Sequence, residues 1–170
     1  MIHARRVALS MIALLALSGG IPQQAAAAGL VPFHARTSEI AVLAPCDPSH
    51  VCVSITGTGE ATHLGKISEA ALFTIDPASV PAPGCTTNTG TMTFTGANGD
   101  GITLALHGIG CQITPTTALA QESYVVISGT GRFSGATGSG TEIAQIDTSN
   151  PAFSTGLTDF RGTLSTPGSL

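Results

Sequence analysis

The sequence predicts an all-β protein, a single antiparallel β-barrel of about eight strands with a β-sandwich as the alternative. Three observations carry that prediction. Apolar and polar residues alternate at a period of two along most of the chain. Beyond the first thirty residues no long stretch places apolar side chains at helical spacing. Clusters rich in glycine and proline separate the alternating runs, as turns do between strands.

The N-terminus carries Arg5 and Arg6, an apolar run from Val7 to Leu17 and the alanine tract Ala25 to Ala28, the pattern of a secretory signal peptide. Its apolar run is short of the roughly 20 helical residues needed to cross a bilayer. Residues 1–28 are therefore expected to be removed by cleavage near Ala28, leaving no membrane anchor and a secreted or periplasmic product of 142 residues, one domain's worth. That product keeps four basic residues (Arg36, Lys66, Arg132, Arg161) against all ten acidic ones, a formal charge of −6. Such a balance argues against a nucleic-acid partner.

Taken in order, residues 29–50 form either an N-terminal arm or a first strand, 51–165 the barrel, and 166–170 a tail. Val51, Val53 and Ile55 alternate with Cys52, Ser54 and Thr56, and a further strand is expected around His63. Ala71, Phe73 and Ile75 share a parity, as do Met92 and Phe94, then Ile102, Leu104 and Leu106. Val125 and Ile127, Thr141 to Asp147 and Leu157 to Leu164 mark the remaining strands. The runs Asp76 to Gly84 and Ile113 to Leu119 contain Pro77, Pro81, Pro83 and Pro115 and read as loops or edges.

Register predicts the disulfides. Facing Met92 and Phe94 with Leu104 and Ile102 across a hairpin requires a three-residue turn, Ala97-Asn98-Gly99, with Gly99 left-handed. The same ladder sets Cys85 opposite Cys111. A Cys85–Cys111 bridge follows, and Cys46 is left to close a short loop with Cys52. The rival zinc reading lacks any Cys-x-x-Cys or His-x-x-x-His pair, and no metal is expected.

Chemistry-bearing motifs are sparse. The stretch Ser128 to Gly140 has five glycines but neither the lysine of a phosphate loop nor dinucleotide-fingerprint spacing, so it reads as a β-to-β turn. No Gly-x-Ser-x-Gly elbow occurs, no cofactor is expected, and no catalytic residue is assigned. If the strand through His63 ran unbroken to Ile75, His63, Glu69 and Phe73 would share a face that a barrel could turn toward its lumen. A bulge at Gly65 would return His63 to solvent. With Tyr124, the single tyrosine, and Arg132 in the glycine turn, the candidate cavity residues are His63, Glu69, Phe73, Tyr124 and Arg132.

The segment Ile127 to Gly138, the hairpin Thr91 to His107 before it and the stretch Gly59-Glu-Ala-Thr-His-Leu-Gly65 resemble the dirigent and allene oxide cyclase barrel superfamily, most of all its small secreted bacterial members. The resemblance runs from Cys52 to Leu164. It implies an eight-stranded antiparallel barrel with a central cavity. In the plant branches such barrels take up hydrophobic small molecules and steer a cyclisation or radical coupling without a cofactor. Three roles stay open on this reading: binding an apolar small molecule in the cavity, a cofactor-independent cyclase, isomerase or dirigent-like coupling protein, and a structural or surface protein with a filled barrel. Assembly into a homo-oligomer stays open beside them.

Overall fold

The computed structural model describes residues 29–150 and 152–165; the expected signal peptide and the 166–170 tail lie outside the described residues. Eight strands succeed one another in chain order: β1 (Leu30–Pro45), β2 (Val51–Ala61), β3 (Gly65–Asp76), β4 (Cys85–Gly96), β5 (Gly101–Thr114), β6 (Thr117–Thr130), β7 (Gly138–Asp147) and β8 (Ser154–Ser165). Each pairs antiparallel with the next, and β8 pairs back onto β1, so the sheet is a closed barrel and not a sandwich. Closure satisfies the backbone groups that an edge strand would leave unpaired. No described helix is long and apolar enough to cross a membrane.

Up-and-down connectivity sends alternate turns to opposite ends. The β2–β3, β4–β5 and β6–β7 turns gather at one end, where Leu64, Phe133 and Ala136 tuck inward and are buried. Beneath them Phe33, Phe94, Tyr124 and Phe160 fill the lumen, three of their four ring contacts edge to face and Phe33–Phe94 tilted, with the Phe94 and Phe160 centroids 5.0 Å apart at 89°. Burying each such ring stabilises the barrel by roughly 2 to 3 kcal/mol. This end is closed. The β1–β2, β3–β4, β5–β6 and β7–β8 connections ring the other end, which is open.

The β4–β5 hairpin has the expected register. Cys85 pairs with Cys111, Thr93 with Thr103 and Phe94 with Ile102. Gly99, at φ 85°, donates its N–H to the Gly96 carbonyl at 2.9 Å, and Gly96 donates to Asp100 at 2.8 Å. Both bridges, Cys85–Cys111 and Cys46–Cys52, are formed.

Two local expectations are corrected. There is no strand through His63: Thr62, His63 and Leu64 make the β2–β3 turn, Ala61 pairs directly with Gly65, and both His63 (φ 70°) and Gly65 (φ 76°) take left-handed backbone. The loop expected over Ile113 to Leu119 shrinks to Pro115 and Thr116, because β5 continues to Thr114 and β6 begins at Thr117. On β6 the exposed pair is Val125 and Ile127, while Tyr124 faces inward. A bulge sets Leu104 opposite Val126 and Thr103 opposite Ser128, leaving Ile127 as the extra residue.

Candidate functional site

The open half of the lumen holds a cavity of about 350 Å³. Its wall toward the mouth is mostly apolar, with Val53, Ile55, Phe73, Ile75, Ala144 and Ile146 among the lining side chains, interspersed with Thr86, Gln112, Thr148 and Ser154. Its floor is acidic. Glu39, Glu122 and Glu142 line it with Asn88, and Glu69 lies deeper, next to Phe94 in the register. All four glutamates are buried.

Strand geometry explains their placement. Side chains two apart share a face, so Glu39 points inward with Ala35 and Thr37, Glu69 with Ile67 and Ala71, Glu122 with Ala120 and Tyr124, and Glu142 with Ala144. Register then sorts them into two pairs. Glu122 and Glu142 are direct cross-strand partners. Glu39 and Glu69 flank Gly57 from either side. A Cβ at Gly57 would come within 3.1 Å of Glu39 Cγ and 3.2 Å of Glu69 Oε2, and one at Gly108 would stand 2.8 Å from Glu122 Cγ. The nearest atoms to such a Cβ are backbone carbonyls, Ser38 O at Gly57 and Gln121 O at Gly108, so glycine at these two positions permits close strand approach as well as leaving room for the carboxylates.

Like charges facing each other among buried side chains resist ionisation. Burial first, and then the Glu39 charge, pushes Glu69 up to about 8. Burial raises Glu122 to about 7, an effect its contacts with Glu142 and Asn88 offset in part. Glu142 is raised well above the ordinary carboxylate range by burial, then by Glu122 and the more distant Glu39 and Glu69. The floor therefore holds both carboxylic acid and carboxylate near neutral pH. Thr37 Oγ1 donates to Glu39 Oε1 at 2.7 Å. Several buried oxygens have no hydrogen-bond partner: both of Glu69, Oε2 of Glu122 and of Glu142, and Oδ1 of Asn88.

Of the five cavity residues expected from sequence, Phe73 lines the cavity. Glu69 and Tyr124 lie in the lumen among buried side chains; the Tyr124 hydroxyl is unpartnered, and burial pushes it up to about 12. His63 and Arg132 are elsewhere, on the outside of the closed end. His63 is exposed in its turn, its Nε2 3.2 Å from the Pro32 carbonyl. Arg132 donates from Nε to Asp100 Oδ2 at 2.6 Å and from Nη2 to the His63 carbonyl at 3.4 Å. The glycine segment is thus a lid turn, with Gly131 and Gly135 at positive φ and Phe133 inserted beneath it.

Sequence reasoning missed Glu39, Asn88, Glu122 and Glu142. Parity with buried neighbours was the available signal for Glu122, through Tyr124. It was masked by the continuous apolar run Val125-Val126-Ile127, which shows no alternation of its own. The remaining charge lies outside the lumen. Asp159 on the outer wall receives Arg161 Nε at 2.7 Å and Arg36 Nε at 2.9 Å, with His34 Nε2 3.0 Å away, which holds its carboxyl well below the usual range, Arg161 foremost. A larger hollow of about 690 Å³ on the outer face, beside Ile40 and Leu157, is bounded mostly by exposed side chains and has no enclosed floor.

No family model and no curated protein matches the chain. Among solved structures it is similar to a pterocarpan synthase dirigent protein, at 13% identity and a TM-score of 0.47, the match covering 88% of this chain and 98% of that one. The closed barrel is established by the chain's own strand pairing, and what the site can do is read from its own lumen.

Proposed function

We propose that the protein is a secreted or periplasmic small-molecule binder that takes a largely apolar ligand into the open half of its barrel. The observation that carries this reading is the cavity itself: apolar walls above a floor of buried polar groups, in a lumen whose other half is packed with aromatic rings. Two disulfides fit an oxidising compartment. A solidly filled structural barrel is disfavoured by the same cavity.

A second reading has its own support. Glu122, raised to about 7 beside Glu142, supplies a proton donor and acceptor at neutral pH, which a cofactor-independent cyclase or isomerase acting on the bound ligand would require.

The test is native mass spectrometry of protein purified from its own host, joined to uptake of the uncharged fluorophore N-phenyl-1-naphthylamine. A co-purifying small molecule, and probe uptake abolished by Ala144→Phe in the lumen, are expected. A protein that carries nothing and takes up no probe would overturn the reading.

A further inference from the structure

We infer that the ligand is an amphiphilic organic ammonium ion, its cationic head seated against Glu122, Glu142 and Asn88 and its apolar body lying along the wall toward the mouth. The inference rests on the lumen being a binding site.

The sign of charge is uniform at the level of the floor. Carboxyl groups come from four strands: Glu122 stands beside Glu142, with Gly108 and then Asn88 next in register, and Glu39 and the deeper Glu69 stand on either side of Gly57. No lysine, arginine or histidine lines the cavity. Arg36, Lys66 and Arg161 project from the outer wall and Arg132 from the closed end.

The hydrogen-bonding inventory points the same way. The unpartnered oxygens of the lining residues are Asn88 Oδ1, an acceptor at any pH on a side chain about nine-tenths buried, and Glu122 Oε2 and Glu142 Oε2, which are acceptors once their carboxyls have ionised. A buried acceptor without a donor is costly. An alkylammonium head brings three N–H donors and the opposite charge together. A carboxylate ligand would meet repulsion, and a hydroxyl would bring one donor and no charge. An inorganic cation is disfavoured by geometry, since among the described residues no three aspartate, glutamate, histidine or cysteine side chains are grouped to hold one, and by the apolar wall it would leave uncovered.

The test is isothermal titration of the whole secreted protein with n-octylammonium, n-octanol, n-octanoate and calcium chloride. Octylammonium is expected to bind more tightly than octanol by about tenfold or more, equivalent to about 1.4 kcal/mol. Octanoate should be weakest and calcium without effect. Affinity for octylammonium should rise from about pH 5 to about pH 8, as the carboxyls lose protons while the amine keeps its own. In Glu122→Gln/Glu142→Gln, and in the single variant Glu142→Gln should the double fail to fold, the preference over octanol should shrink while octanol binding persists. Octanol or octanoate binding as tightly as octylammonium would overturn the ligand class and leave the binding site standing. Calcium binding in competition with octylammonium, or a preference undiminished in the folded variants, would also overturn it. Failure of every probe, with no small molecule on the native protein, would remove the binding site itself.

Discussion

Raising the pH from about 4.5 to about 8 should destabilise this barrel, the reverse of what surface carboxylates do. In the native state Glu69 and Glu122 hold their protons to about 8 and about 7, against an ordinary value of 4.5. A carboxyl whose native pKa is raised contributes stability that is complete below the unfolded value and is lost as pH climbs through the native one. At about 1.4 kcal/mol per unit, the ceiling is on the order of 5 kcal/mol for Glu69 and 3 kcal/mol for Glu122. The two do not add, because each shift contains the charges of its neighbours, and water entering the open end relaxes both. A net loss on the order of 3 kcal/mol is expected. Urea unfolding with the disulfides intact would measure it as a falling midpoint at constant m-value. Glu69→Gln should flatten the profile and be the more stable protein at pH 8. Below about pH 4 the trend reverses, since Asp47, Asp100, Asp147 and Asp159 are all held below their ordinary value by hydrogen bonds or ion pairs. Wild-type stability that was flat or rising between pH 4.5 and 8 would refute the picture of a buried, mutually repelling floor.

Three further outcomes test the fold and the placement of the site. Replacing both cysteines of the 26-residue-separated bridge Cys85–Cys111 by serine should cost about 3.5 kcal/mol by loop-closure entropy, and removing Cys46–Cys52, separated by 6 residues, about 2 kcal/mol, read from urea midpoints. Phe94→Ala, which removes a ring with no exposed surface at the closed end, should destabilise by about 3 to 5 kcal/mol on thermal or urea unfolding. Arg132→Ala should leave uptake of the uncharged fluorophore unchanged, because this exposed side chain sits outside the end of the barrel opposite the mouth.

The class of fold was legible because strand alternation is local, and the Cys85–Cys111 bridge because one hairpin register settles it. The tally of about eight strands agreed partly by compensation. A strand was expected around His63 where the chain turns, and residues 29–50 were left open between an arm and the strand Leu30–Pro45. That first strand was hard to see because its inward face, Phe33, Ala35, Thr37, Glu39, passes from apolar to polar halfway along. The site was hidden for the same reason. Inward-facing polar residues break the alternation that marks a face, so the residues that give the lumen its chemistry are those that erase its sequence signal. Glu69 was legible because Ile67, Ala71 and Phe73 bracket it with apolar residues of the same parity.

The two ends of the barrel are held by different means, and the difference follows from the cavity. At the closed end aromatic rings and the inserted Phe133 bury enough apolar surface to order three turns without a covalent tie. At the open end that packing is missing, because the space is cavity and the floor beneath it carries like charges that repel. Both disulfides are found there: Cys46–Cys52 across the β1–β2 turn, and Cys85–Cys111 across the outer reach of the β4–β5 pair, with Cys111 lining the cavity. Covalent ties thus stand where the lumen is hollow and core packing is absent. A barrel that needed no interior space could have continued its aromatic packing to the second end and dispensed with them.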